Sequence, residues 1–374
     1  MQILDLMNAH DDWEEIISQP PYCITVKRDG EYILLKYRQF DSNFNEPIVR
    51  ECRGIILRQD ANGKYVCVCR AFDKFANYGE NYADDIDWKT TVVEEKVDGN
   101  LIRIFYDNGK WRIATNGTID AFKAIVDDMD YTFGDLVLEA LDGRFHAFTS
   151  NLEHNTTYMF ELVSPKSTVT IEYPETKLYY LGQRDMTTMR EYKLYDDRIH
   201  EFGVLRPKLY HISTIEACID YVNSMTKDEE GFVIRDGHFN RVKLKSPQFL
   251  MHFHMDNNGK ISTKRIIRMI QNEQIDDFLA YCTKYKDRVV QIYGAIEKIA
   301  YDLENVWEQA KKFNRLNRKE FVRDVHAMKL ANFPHVTYIM LKYDHPDLNP
   351  VDFILSRPIS KIRDLVKKET VNGD

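Results

Sequence analysis

From residue 22 to about residue 250 the chain keeps repeating one pattern: a short β-branched or aromatic run, then a turn dipeptide. The runs are YCITV, EYILLKY, RGIIL, KYVCV, LIRIFY and KWRIAT, followed later by TYMFELV, KLYYLGQ, GFVIRD and RVKLKS. Each has strand length and strand composition. Asp29-Gly30, Asn62-Gly63 and Asn108-Gly109 supply tight turns, because these residue types tolerate positive φ. Helix-like patterns interrupt at about 119–142, 187–200 and 212–226. The mixture predicts antiparallel sheets with interleaved helices, an α+β domain.

After Ser246-Pro247 the texture changes. Between about 260 and 330 glycine nearly vanishes, and apolar residues recur three and four apart: Ile266, Ile267 and Ile270, then Val289, Ile292, Ile296 and Ile299. That is helix periodicity. A Pro-rich break at 344–350 sets off one or two final helices. The expectation is therefore two domains, 1–250 with antiparallel sheet and 251–374 all-helical, in a 374-residue chain too long for one small core. The net charge of −8 argues against a protein that coats nucleic acid non-specifically. It is unevenly spread: from Lys260 onward 21 Lys+Arg face 16 Asp+Glu, whereas the preceding part carries 30 against 43. An acidic front with a mildly basic tail suits a metal-using site joined to an anion-binding module; a helical tail with a basic solvated face explains it equally well.

No stretch approaches the roughly 18 consecutive apolar residues of a membrane span, and the start, MQILDLMNAHDDWEEII, has no basic secretory leader. Six cysteines without zinc-ligand spacing fit a reducing cytoplasm. Cys67-Val68-Cys69 reads as a reduced core pair with both sulfurs on one strand face, and His252-Phe253-His254 lacks further ligands nearby in sequence.

The residues that carry chemistry centre on Glu94-Glu95-Lys96-Val97-Asp98-Gly99, where a strand runs into Lys96, a turn follows and a second strand begins at Leu101. A plain Asp-Gly turn explains this as easily as a site. Its companions are Glu161 at the end of one strand, Glu230 at the start of another, and Lys243 and Lys245 in a third. Residues two apart in a strand share a face, so a hairpin from Glu230 to Lys245 brings one carboxylate and two ammonium groups beside a common pocket. Taken singly, Glu230 fits an acidic turn and the lysine pair fits a solvated strand.

In their order these residues resemble a family. Lys96-Val97-Asp98-Gly99, Phe160-Glu161, Glu230-Gly231-Phe232-Val233 and Lys243-Leu244-Lys245 resemble the motifs of covalent nucleotidyltransferases, meaning ATP-dependent ligases and mRNA capping enzymes. Glu51-Cys52-Arg53-Gly54 and Phe72-Asp73-Lys74-Phe75-Ala76-Asn77 resemble elements of the phage-type RNA ligase 1 family, and the helical tail suits that family. One turn departs from it: Thr115-Asn116-Gly117-Thr118 offers Asn116 where family members often place a lysine.

The resemblance implies an adenylyltransferase domain at 1–250 and a helical, RNA-recognising domain at 251–374. It implies an ATP-dependent RNA ligase that carries AMP on Lys96 and joins 5′-phosphate to 3′-hydroxyl RNA ends, broken tRNA among the candidates. By resemblance Lys243 and Lys245 bind the α-phosphate, Arg53 and Lys74 hold the outgoing phosphates, and Glu161 contacts the ribose or metal. Glu230 binds Mg2+, with Mn2+ as an alternative, and Leu181 and Val233 flank the adenine, although ordinary strand core also explains those two. Asp98 and Gly99 complete the nucleotide-binding set. An amine attacks phosphorus only when unprotonated, so Lys96 is expected to titrate well below an ordinary lysine in the metal-bound enzyme, driven by nearby cations. RNA ends would meet Lys264, Arg265 and Arg268 or the run 311–319, both of which also read as solvated helix faces. A monomer in the cytoplasm, the host's if phage-encoded, is the accompanying expectation. A DNA ligase, a capping-type enzyme and a non-catalytic RNA-binding protein that keeps a nucleotide pocket remain alternatives.

Overall fold

The computed structural model describes residues 1–39, 41–126, 131–193, 197–254, 261–271, 275, 278–279, 283–313, 318–346 and 348–371. The chain divides into two compact units, Met1–Met255 and Asp256–Asp374.

Among its described residues the first unit carries three sheets. The first has the order β1-β2-β3-β4, from Ile24–Asp29, Tyr32–Tyr37, Arg53–Gln59 and Tyr65–Cys69. The second is β10-β9-β8-β6-β7: Glu191–Tyr192, Lys177–Asp185, Thr156–Val163, Asn100–Asp107 and Lys110–Thr115. The third is β11-β5-β12-β13: Leu209–Tyr210, Val92–Glu95, Gly231–Arg235 and Arg241–Lys245. Every pairing between these strands is antiparallel, which agrees with the fold class expected from the strand runs.

Alternation along the strands sorts side chains to opposite faces. In the first sheet, Ile33, Leu35, Ile55 and Leu57 pack beneath the N-terminal helices through Ile3, Met7, Trp13 and Ile17. On its other face, Tyr32, Leu34 and Ile56 pack on Phe105 and Ala114 of the second sheet. The far side of the second sheet is covered by helices Phe133–Ala140 and Phe145–Thr149, and one face of the third by Cys218 and Val222 of helix Ile215–Ser224.

Three expectations change. Cys67 and Cys69 are free and buried, but they lie on opposite faces, because a bulge shifts register between Ile56 and Leu57 and turns the two sulfurs apart. Among its described residues the 187–200 stretch is helical only at Asp197–His200. Ahead of it, Glu191–Tyr192 is taken up by pairing with β9. The 119–142 stretch is helical only at Ala121–Lys123 and Phe133–Ala140 among its described residues.

In the second unit the described regular elements are all helices: Thr263–Gln271, Lys286–Ala310, Arg318–Ala327, Thr337–Asp344, Pro350–Leu355 and Ile359–Val371, besides short helical turns. Ile266, Ile267 and Ile270 are buried, as are Val289, Ile292, Ile296 and Ile299, so the periodicity faces a core. Of the basic candidates, Lys264 is exposed and Arg318 pairs with Asp344 at 2.6 Å, while 314–317 lie outside the described residues. The side chains of His252 to His254 also lie outside them. No described helix is long and apolar enough to cross a membrane.

Candidate active site

Lys96 to Gly99 is not a hairpin turn. It is the passage by which the chain leaves β5 in the third sheet and enters β6 in the second. At Asp29-Gly30 and Asn108-Gly109 the turns are true hairpin corners, with positive φ at Gly30, Asn108 and Gly109. Gly99 answers a different need: a Cβ there would lie 2.5 Å from the Leu162 carbonyl oxygen and 2.9 Å from Glu161 Cγ on β8. A side chain is excluded because the crossing chain lies directly on β8.

The Lys96 amide continues the β5–β12 ladder, donating to the Gly231 carbonyl at 2.9 Å. That bond sets the side chain beside Glu230. Lys96 Nζ donates to Glu230 Oε2 at 2.9 Å, and Lys245 Nζ pairs with Glu230 Oε1 at 2.8 Å. The Glu230 side chain is 2% exposed and Lys245 5%, whereas Lys96 retains 20%. One buried carboxylate thus bridges two ammonium groups, and the amine that remains reachable is Lys96.

The β12–β13 hairpin brings these groups together. Gly231 lies opposite Lys245 and Val233 opposite Lys243. Gly231 has φ +139°, and a Cβ on it would meet the Leu244 carbonyl oxygen at 2.1 Å, so only glycine lets the strands approach here. Phe232, Ile234, Val242 and Leu244 fill the core beneath helix Ile215–Ser224. The intervening residues, with Lys243 and Lys245 among them, occupy the other face.

Segment 72–77 ties this hairpin to the first sheet. The Lys74 amide donates to the Arg50 carbonyl at 3.0 Å, and Asn77 bridges Lys243, whose amide donates to the Ala76 carbonyl at 3.0 Å. Arg53 and Lys243 are thereby gathered around Phe75, with ring centroids 5.8 and 5.6 Å from their charged groups. Lys74 is buried over Tyr37 and Phe44 at 5.3 and 4.9 Å. Leu181 packs with Phe72, Leu101 and Met159, and Val233 is half-buried.

The acids are held under tension. Burial pushes Asp98 up to about 7, with Glu230 adding to the effect. Its Oδ2 accepts from the backbone amides of Thr170 and Ile171 at 2.8 and 2.7 Å, so the carboxyl anchors the segment after β8. Glu161 is likewise pushed up to about 7 by burial; Lys96 and Arg53 oppose the rise while Glu230 and Asp98 reinforce it. Acids that raise one another in this way suit a divalent cation. No three carboxylate, His or Cys groups among the described residues form a preformed metal cluster. Glu161 and Glu230 are the carboxylates at the site that could ligate a hard cation, which needs only one or two of them when waters and phosphates complete its shell. Both Glu230 oxygens are already engaged by lysines, which leaves Glu161 the more available acid.

The structure also brings in residues the sequence reading did not select. Glu94 is buried and pairs with Lys193 at 2.6 Å and Arg235 at 3.9 Å. Arg241 pairs with Glu191 through both terminal guanidinium nitrogens, and Arg184 reaches the same carboxylate at 3.2 Å. Fully buried Arg103 donates to the carbonyls of Gly54 and Thr115. Turn 115–118 sits against Gly54, where a Cβ would meet the Asn116 carbonyl oxygen at 2.2 Å. It is not devoid of cations: Lys27 Nζ donates to the Gly117 carbonyl at 3.0 Å.

Comparison with known proteins places the chain in a family. A protein of Autographa californica nuclear polyhedrosis virus described as a candidate bifunctional polynucleotide kinase/RNA ligase is 30% identical over 270 residues, 67% of this chain and 38% of that protein. An RNA ligase of Rhodothermus phage RM378 is 29% identical over 198 residues, 45% and 44% of the two chains. A candidate RNA ligase of Thermovibrio ammonificans is 24% identical over 349 residues, 83% and 86%. The chain thus spans less than half the length of the first two relatives. A family profile described as RNA ligase matches residues 51–249, the stretch that contains Arg53, Lys74, Lys96, Glu161, Glu230, Lys243 and Lys245. The chain belongs to the RNA ligase family.

Proposed function

We propose that the chain is an ATP-dependent RNA ligase whose Lys96 becomes covalently bonded to AMP. The observation that carries this reading is the buried Glu230 carboxylate bridging Lys96 and Lys245, with only Lys96 reachable. Glu191 and Glu94 also each face two cations, but those cations are 4–10% exposed, whereas Lys96 keeps 20% and can be reached by a phosphate.

In the first step the partly exposed Lys96 ammonium loses its proton to solvent, Glu230 Oε2 orients the amine through their hydrogen bond, and Nζ attacks the α-phosphorus of ATP. A P–N bond forms, the bond to the bridging oxygen breaks, and pyrophosphate leaves. Phosphoryl transfer of this kind depends mainly on positioning and charge neutralisation. Lys243 and Lys245 hold the α-phosphate, Arg53 and Lys74 receive the departing phosphates, and Leu181 and Val233 flank the adenine. Asp98 and Gly99 set the passage that presents Lys96. Glu161, with Glu230, would hold a divalent cation, which when bound supplies further neutralisation of phosphate charge. AMP then passes to the 5′-phosphate of RNA, breaking the P–N bond and returning Lys96 free. A 3′-hydroxyl finally displaces AMP to close the strand.

Incubation with α-labelled ATP tests the reading directly. The wild-type chain is expected to retain label through denaturation, and Lys96→Ala to retain none. Label that washes off the wild type would leave a nucleotide-binding protein without this chemistry. Supplying GTP in place of ATP, and 5′-phosphorylated DNA in place of RNA, separates capping-type and DNA ligase activities.

A further inference from the structure

We propose that Phe72 is a positioning residue whose ring holds the Arg53 guanidinium ready for the phosphates of ATP. This rests on the reading of the chain as an ATP-using ligase.

The two arginines that share this ring are held differently. Arg53 and Arg241 each place Cζ 4.9 Å from the Phe72 centroid and 5.8 Å from the Phe75 centroid. Arg241 is also gripped by Glu191 through both terminal nitrogens, so its charge is compensated and its fork is spent. Arg184 likewise engages Glu191, Arg70 engages Asp73 and Glu51, and buried Arg103 is spent on the carbonyls of Gly54 and Thr115. Arg53 has no carboxylate partner among the described residues, and its Nη1 is buried without a hydrogen-bond acceptor.

A buried, unanswered guanidinium donor is costly unless something completes it. A carboxylate would complete it permanently and cancel the charge. An aromatic face attracts the cation through its quadrupole without accepting the in-plane N–H groups, so the planar fork stays open to an anion that comes and goes. Phe72 is itself locked, packed edge-on against Phe75 at 5.6 Å and against Leu101 and Met159. Arg53 also stands close enough to Glu161 to act on its charge. The ring therefore does for Arg53 what Glu191 does for Arg241, and leaves the donors unspent.

The test compares Phe72→Leu with Phe72→Tyr in the full-length chain. Leucine keeps the apolar volume and removes the π face; tyrosine keeps the face. The rate of label transfer to Lys96 is measured against ATP concentration. Alongside it, joining of chemically pre-adenylylated RNA is measured without ATP, a reaction from which no pyrophosphate departs. Phe72→Leu is expected to raise the KM for ATP, or slow label transfer, by about 3- to 30-fold, the range of one cation–π contact. Joining of pre-adenylylated RNA should be unchanged, and Phe72→Tyr should restore the ATP step. An unchanged ATP dependence in Phe72→Leu overturns the proposal. So does an equal loss in both reactions, which would make Phe72 a core residue only. Failure of the wild type to take label would instead reject the functional reading on which this rests.

Discussion

Asp98 accepts two backbone amides while sitting close to Glu230, and these neighbours pull its proton affinity in opposite directions. Burial and the Glu230 charge win, and the carboxyl is held up to about 7 against an ordinary 3.8. Between those values the folded chain keeps a proton that the unfolded chain has released. Folding therefore takes up protons in this window, and stability falls as pH rises through it. The melting temperature of the ligand-free protein should drop as pH rises from about 5 to about 7 and level off above that. Asp98→Asn keeps an acceptor for the two amides but cannot ionise, so it should flatten part of that slope. Parallel melting curves for wild type and variant across this range would show that Asp98 does not carry the effect. Glu161, raised to about 7 as well, should supply much of the slope that remains.

At the scale of elements, the β12–β13 hairpin is the most demanding local structure. Gly231→Ala would force a Cβ against the Leu244 carbonyl at a φ that side chains rarely adopt. A residue held in such a region costs about 1–3 kcal/mol before any clash is counted. The variant is expected to lose at least that much stability in urea and most of its label transfer, because Glu230 and Lys245 would no longer be aligned. Near-normal label transfer would show that the strands can part here without harm to the site. A second weak point is Glu191, on which Arg184 and Arg241 both depend. Glu191→Ala should cost about 3–5 kcal/mol by leaving buried cations uncompensated, a loss that denaturant titration would measure. The same elements show what was legible in the sequence. The two-residue spacing of Lys243 and Lys245 put both on one face, and carrying it back one step would have found Arg241, just as it would have found Glu94 from Lys96. The passage at Asp98-Gly99 was not legible, since the dipeptide matches the hairpin corner at 29–30 and only the distant Leu162 carbonyl distinguishes it. Nor was the bulge that parts Cys67 from Cys69, which arises from pairing with β3 rather than from either cysteine. Glu191 lay in a stretch that looked helical, and pairing with β9 overrode that local preference.

Over the whole molecule, the candidate site draws on all three sheets of the first unit: Arg53 from the first, Glu161 from the second, and Glu230, Lys243 and Lys245 from the third or its edge. Every one of these residues lies within Met1–Met255. A chain ending after residue 255 is therefore expected to take label from ATP at Lys96, while joining of RNA ends falls. Loss of labelling in a folded shortened chain would give the helical unit a part in the first chemical step. The division also explains why a long helical tail could be read from periodicity alone, whereas the site needed contacts between residues far apart in the chain.

Lys96 meets its carboxylate 134 residues later in the sequence, across a strand that cannot pair until nearly all of the first unit has been made. A chain still emerging from the ribosome holds the amine but not Glu230, Lys243 or Lys245. If Lys96 takes AMP as proposed, such a chain has no means of cutting ATP, so unfinished copies would stay chemically silent and waste no nucleotide in the cell that makes them.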